Sequence, residues 1–214
     1  MSNIRCNVCF SEKSFVKNEN KDLICSDCFS TSDERLLYEN IRENIGQNTS
    51  ILHLDAKESL YKKLRAITTN YQSYSTNKNN NNTFVEDYSQ LENIPADSID
   101  LTLFSHVLDR VDNDNKLVSI LTRVLKKNGK LVIKENVDFE LESKIEEDYL
   151  NTPKLRRMFL GNSNAKRCYG QDLIKFLEEK GFDVKVTDSK KQKYNIQKSN
   201  ELILDPLLIC ERIR

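Results

Sequence analysis

The chain has 214 residues, with 33 basic side chains against 33 acidic ones and a pI near 6.7. That balance excludes a general electrostatic pull toward nucleic acid or anionic lipid, and no apolar run approaches the roughly 18 residues a membrane span needs. The length suits one main domain with a small appendage, and the polar N-terminus, without an apolar signal core, leads us to expect a cytoplasmic protein.

The first thirty residues hold two C-x2-C pairs, Cys6/Cys9 and Cys25/Cys28, separated by fifteen residues. Two such knuckles bring four thiolates within reach of one tetrahedral ion, and zinc, with its preference for sulfur, is the expected occupant. A piece this small buries too little apolar surface to fold alone, so the metal would supply the missing stability. Four thiolates leave no open coordination position, which makes the site structural rather than catalytic. Two disulfides are the competing assignment, favoured only in an oxidising compartment. Cys168 and Cys210 lie far away and read as ordinary buried thiols.

Next, Thr31-Ser-Asp-Glu34 has the form of a capping box, followed by a stripe of Leu37, Ile41 and Ile45 up to Gly46. Ile51 to Leu54 reads as a first strand and Ser59 to Ile67 as a basic amphipathic helix with Leu60, Leu64 and Ile67 inward. A second strand fits Asn70 to Ser75, an asparagine-rich loop spans Asn77 to Asn82, and a short third strand fits Phe84 to Asp87. The apolar run Ile99 to Phe104 predicts a buried strand. N-cap candidates at Asp112 to Asp114 precede Leu117, Ile120, Leu121, Val124 and Leu125 at helical spacing, with Lys126 and Lys127 in the last turn. Gly129 ends that helix, and Leu131 to Ile133 begins another strand, completing a βαβ unit. Residues 140–149 suggest a helix, and Thr152-Pro153 caps a second one over Lys154 to Leu160. A helix over Gln171 to Lys180, a strand over Phe182 to Val186, a polar loop over Ser189 to Asn200 and a last strand over Leu207 to Arg212 close the chain.

The pattern predicts a layered α/β sheet with a late antiparallel pair. It divides the chain into a zinc ribbon at residues 1–30, a linking helix at 31–47 and a main domain at 48–214, with an insertion at 138–169.

Four segments point further: CSDCFSTSDERLLYENIRE, ILHLDAKESLYKKLRAI, IPADSIDLTLFSHVLDRVDNDNKLVSILTRVLKKNGKLVI and RCYGQDLIKFLEEKGFDVKV. In these the chain resembles the class I S-adenosylmethionine-dependent methyltransferases of the UbiE-like, methyltransferase 11 type, and among them a bacterial subgroup that begins with a four-cysteine zinc knuckle. The resemblance implies a Rossmann-like seven-stranded sheet whose last strand is antiparallel. Two of the family's usual features are replaced. The glycine-rich loop after the first strand reads HLDAKES, and the acid usual at the end of the second strand gives way to Tyr74, Ser75 or Thr76.

Ligands of open α/β sheets bind outside the carboxyl ends of the strands. That rule places His53, Leu54, Asp55 and Ala56, then Tyr74 and Ser75, then Asp87 and Tyr88, then Phe104 and Ser105 at the cofactor. The resemblance gives Asp87 to the adenine amine, while His53 also suits a core histidine. Methyl transfer needs an aligned acceptor and, for a hydroxyl or amine, a base. His106, just after the fourth strand, is the candidate base. Asp109 and Arg110 share that edge, and Arg156, Arg157, Arg167 and Tyr169 are candidates to hold an anionic substrate.

The expected function is methyl transfer from S-adenosylmethionine to a small-molecule or saccharide-type acceptor, with structural zinc and no membrane partner. The alternatives are an RNA methyltransferase whose ribbon grips RNA, or an inactive methyltransferase-like binding protein. Residues 1–30 carry four basic and four acidic side chains, which counts against RNA.

Overall fold

The structure, a computed structural model, describes residues 5–12, 14–17, 23–79, 81–187 and 207–214. The predicted polar loop over Ser189 to Asn200 lies outside these residues.

The N-terminal piece is a hairpin of β1 (Phe15–Lys17) and β2 (Leu23–Cys25) carrying the cysteine knuckles. From it the chain runs into α1 (Ser32–Ile41). Its capping box forms as expected: Thr31 Oγ1 accepts from Glu34 N, and Glu34 Oε2 accepts from Thr31 N at 2.9 Å. The helix stops at Ile41 and does not reach Ile45, because the turn-forming stretch through Asn44 and Gly46 takes over.

The main sheet has seven strands: β3 (Ile51–Leu54), β4 (Tyr71–Ser75), β5 (Thr83–Phe84), β6 (Ile99–Ser105), β7 (Leu125–Lys134), β8 (Phe182–Val186) and β9 (Leu208–Arg212). Their spatial order is β5-β4-β3-β6-β7-β9-β8. All pairings from β5 to β7 are parallel, and β9 is antiparallel to both of its neighbours. The seven-stranded α/β sheet with an antiparallel last strand is therefore present.

Strand periodicity sends alternate residues to the two faces. Leu52, Leu54, Phe104 and Ile133 pack with α3 (Asp114–Val124) and α5 (Asp172–Glu179) in one core. Ile51, Leu101, Leu103 and Val132 pack with α1 and α2 (Glu58–Arg65) in the other. Cys6, Val8 and Cys25 join this second core, so the ribbon is built onto the sheet's α1 face.

Several boundaries differ from expectation. The third strand has two residues only, and Asp87 instead caps a 3-10 helix at Tyr88–Asn93, accepting from Ser89 N at 2.5 Å. After Val124 the chain passes straight into β7, so Leu125, Lys126 and Lys127 lie outside the helix. Asn128 has a φ of 63°, and a side chain at Gly129 would meet Lys126 O at 2.8 Å. Residues 140–149 form no helix. They lack an apolar stripe, and Ile145 bridges Cys168 instead. Thr152 and Pro153 do start α4 (Pro153–Leu160), with Thr152 Oγ1 accepting from Leu155 N at 3.3 Å.

Candidate functional site

The two knuckles share one local geometry. In each, the backbone N–H of the residue after the second cysteine returns to the carbonyl of the first, Phe10 to Cys6 at 2.8 Å and Phe29 to Cys25 at 2.9 Å. Both phenylalanines have left-handed backbones, with φ of 63° and 59°. The four sulfurs lie within 4.8 Å of one another, with Cys6 Sγ 3.8 Å from Cys28 Sγ and Cys9 Sγ 3.8 Å from Cys25 Sγ. A tetrahedron with metal–sulfur bonds of about 2.3 Å has edges of about 3.8 Å, whereas a disulfide needs about 2.05 Å. The spacing fits a zinc ion, and all four cysteines are free. Ser30 Oγ stands 3.4 Å from Cys6 Sγ, and the buried Arg35 donates to Ser30 O and Leu23 O while stacking on Phe15.

The second site lies where the open-sheet rule puts it, at the carboxyl ends of β3, β4 and β6. It is a cleft with two lobes of about 390 Å³ each. Asp33, His53, Ala56, Ser75 and Ser105 border the first; Thr76, Asp87, Tyr88 and Val107 border the second; Asp55, Asn77 and Arg110 belong to both.

Asp55 is the junction. Its φ of 51° is the left-handed value that a glycine usually supplies in such a turn, and aspartate is among the few residues that tolerate it. Ser75 Oγ and Tyr88 Oη donate to its Oδ1 at 2.5 and 2.7 Å, and Arg110 Nη2 donates to its Oδ2 at 3.2 Å. Asn82 clamps the next residue from both sides, accepting from Ala56 N at 3.1 Å and donating to Ala56 O at 2.9 Å. Glu34 fixes the start of α2 by accepting from Ser59 Oγ at 2.5 Å and Leu60 N at 3.2 Å.

The two histidines differ sharply. His53 is buried at the base of the first lobe with Nδ1 2.8 Å from Tyr71 Oη, and burial holds its pKa down at about 3. It is a neutral, satisfied core histidine. His106, with a φ of 53°, lies between two carboxylates: Nδ1 is 3.2 Å from Asp109 Oδ2 and Nε2 is 3.5 Å from Asp33 Oδ2. Burial opposes its charge, yet Asp109 and Asp33 outweigh burial and push the pKa up to about 9. Burial likewise opposes ionisation of Asp33, but His106, Lys134 and Lys57 hold its carboxyl at about 2. Ser105 Oγ donates to Asp33 at 3.2 Å. At neutral pH an imidazolium therefore stands between carboxylates, one of them Asp33 at the edge of the first lobe; His106 itself lines neither lobe.

Beneath it, the buried Glu135 accepts from the backbone N–H groups of Val107, Leu108 and Asp109 at 2.9 to 3.2 Å, and burial with the nearby Asp109 raises its pKa. Among the described residues, Asp109 Oδ1 is buried without a hydrogen bond, 3.6 Å from Arg110 Nε. His106, Asp109 and Glu135 are close enough to hold a cation, but His106 itself already supplies the positive charge.

Of the residues placed here from sequence, His53, Asp55, Ala56, Ser75, Asp87, Tyr88, Ser105 and Arg110 converge on the cleft. Leu54 and Phe104 turn their side chains into the core, and Tyr74 packs against it, donating to Gln72 at 3.2 Å. The four candidate substrate residues, Arg156, Arg157, Arg167 and Tyr169, line neither lobe. Arg167 is 1% exposed and donates to the carbonyls of Leu108, Val111 and Asp112 and to Glu146. Tyr169, equally buried, donates to Asp114 at 2.9 Å, and Arg156 donates to Leu150 O at 2.8 Å. The first two brace the 138–169 segment against the loop after β6. Sequence reading missed Asp33, Glu34 and Asn82. The capping box marked Glu34 as structural, and nothing local marked the other two.

A family model described as a methyltransferase domain matches residues 44–133. No curated protein matches the sequence. Among solved structures, phosphoethanolamine N-methyltransferase 2 of Haemonchus contortus, in complex with phosphomonomethylethanolamine and S-adenosylhomocysteine, aligns with a TM-score of 0.56 and 13% identity. The alignment covers 85% of this chain and 53% of that one. An S-adenosylmethionine-dependent methyltransferase of Archaeoglobus fulgidus aligns with a TM-score of 0.52 and 15% identity, over 84% and 94% of the two chains. One from Mesorhizobium loti gives 0.51 and 14%, over 85% and 100%. At these identities the likeness establishes the fold.

Proposed function

We propose that this chain, which carries a methyltransferase domain on the S-adenosylmethionine-dependent fold, transfers a methyl group from S-adenosylmethionine to a small-molecule or saccharide-type acceptor, with its zinc ion serving structure alone. The observation that carries the reading is the two-lobed cleft across the carboxyl ends of β3, β4 and β6, with Asp87 at one end and, at the other, Asp33 paired with His106.

When bound, the cofactor supplies a methyl on a sulfonium, an electrophile that needs no further activation. The chain has to align the acceptor and accept its proton. In this reading Asp87 and Tyr88 border the adenine lobe, and Asp33 and Ser105 border the methyl-transfer end, with His106 against Asp33. His106 accepts a proton only once its own has left. Activity on a hydroxyl or amine acceptor should therefore rise with pH toward about 9.

A third cavity, of about 550 Å³, adjoins the first lobe through Glu34, Lys57 and Glu58 and ends at Phe29. Phe29 is 72% exposed. Its ring offers a platform for the apolar face of a sugar or another ring, and the charged side chains around it suit hydroxyl groups. Three lysines there (Lys57, Lys62, Lys63) face three acids (Asp27, Glu34, Glu58), which does not suit an RNA backbone.

Calorimetric titration of the zinc-loaded protein with S-adenosylmethionine and S-adenosylhomocysteine tests the reading. Micromolar dissociation constants are expected. No heat and no thermal shift at millimolar cofactor would overturn it in favour of a binding protein.

A further inference from the structure

We infer that Asp55 supplies the carboxylate that takes the cofactor's ribose hydroxyls, reaching from the loop after β3 to the place where the end of β4 lacks an acid. This rests on the methyltransferase reading above.

Two departures from the family pattern meet at this one residue. The turn after β3 keeps a left-handed backbone, but an aspartate occupies it, so a side chain projects where glycine would leave only space. The end of β4 bears Ser75, and its hydroxyl holds the Asp55 carboxylate at 2.5 Å. The carboxylate missing from one strand end is thus bound to that strand end from the neighbouring loop.

Its position agrees. Asp55 belongs to both lobes, so a ligand reaching from Asp87 to Asp33 passes it midway, and the part of the cofactor between the adenine and the amino acid is the ribose. Its hydrogen bonding agrees too. A carboxylate offers about four acceptor sites. Oδ1 is filled by the Ser75 and Tyr88 hydroxyls, while Oδ2, among the described residues, takes Arg110 alone at 3.2 Å and retains a lone pair for a sugar hydroxyl. Ser75 and Tyr88 fix the group from behind, and Arg110 pairs with it, so the hydroxyl meets an oriented carboxylate.

The opposite assignment is that the Asp55–Arg110 pair fills the cleft and excludes the cofactor. The two differ in sign. We would measure S-adenosylhomocysteine binding by calorimetry for the zinc-loaded wild type, for Asp55→Gly, and for Asp55→Gly combined with Ser75→Asp. Glycine suits the φ of 51°, so the turn survives the change. Loss of a charge-assisted hydrogen bond should weaken binding roughly 10- to 100-fold in Asp55→Gly. The double variant, with its acid on β4, should recover most of that loss. Unchanged or tighter binding in Asp55→Gly overturns the inference while leaving the methyltransferase reading intact. No binding by the wild type overturns both.

Discussion

The cysteine ribbon and the two-lobed cleft meet at the first turn of α1, and they reach their geometry by different means. In the ribbon, four sulfurs define the site, and the rest of the piece wraps them: Ser30 lies beside Cys6, and Asn7 ties the first knuckle to Arg35 O at 2.9 Å. In the cleft no single ligand defines anything. Strand ends from β3, β4 and β6 are held in register by a packed sheet, and polar groups far apart in sequence are brought to one place. One region is organised by four sulfurs and the other by a core. Helix α1 links them, since Glu34 holds the start of α2 and Asp33 faces His106.

Removing the metal breaks this comparison most directly. Structural zinc contributes apparent binding energies of about 10–16 kcal/mol at pH 7 in small peptides, so chelation or Cys9→Ser should cause the largest loss. The expected outcome is one zinc per chain in the wild type by metal analysis. On its removal, amide exchange should rise in the ribbon and α1 while β6 and β7 stay protected. Equal exchange across the whole chain would mean that the two regions fold as one.

Next in size is Arg167→Met. Three carbonyls of the loop after β6 and the Glu146 carboxylate would lose a buried donor. Breaking a buried pair costs about 3–5 kcal/mol, read as a fall in the urea midpoint. A surface arginine holding substrate would show no such loss.

Asp33→Asn sharpens the link between the regions. The chain has two histidines, so ring titrations by NMR assign cleanly. The His106 pKa should fall from about 9 while His53 stays near 3. The sign for stability follows. His106 is raised above its ordinary 6.5, so its contribution is full below about 6.5 and lost as pH rises through about 9. Asp33 is depressed from 3.8, so its contribution is present above about 3.8 and lost as pH falls through about 2. Wild-type stability should decline between about pH 6 and about pH 10, and the variant should flatten that decline.

These cases also show what can be read from sequence. The ribbon is legible because metal ligation restricts residue type and spacing to a few patterns. The unit from β6 through α3 to β7 is legible because apolar periodicity records which face is buried. The site's polar wiring is not. Asp33 and Ser105 lie 72 positions apart, Arg167 and Leu108 59, and Asn82 and Ala56 26, and no local pattern encodes a partner at such range. Asn82 was hidden further by its asparagine tract. That tract reads as low complexity, yet Asn79 Oδ1 accepts from the Asn82 backbone at 3.0 Å and holds Asn82 against Ala56 in the loop after β3. Arg167 and Tyr169 misled for the converse reason: a guanidinium and a phenol suit an anion site and a buried brace equally well.

The smallest expected effect separates ribbon from cleft at one side chain. Phe29 holds a left-handed backbone that costs a non-glycine residue about 1–2 kcal/mol, and its ring is mostly exposed, so little packing offsets the strain. Phe29→Gly should therefore raise stability by about 1 kcal/mol, a gain visible in thermal melts of the zinc-loaded protein. The cofactor dissociation constant should not move, because Phe29 borders the third cavity and neither lobe of the cleft. If the ring is a platform for the acceptor, KM for the acceptor should rise about tenfold, the effect of losing roughly 1.4 kcal/mol of stacking. A more stable variant with an unchanged KM would return Phe29 to the ribbon and move the acceptor elsewhere on the cleft.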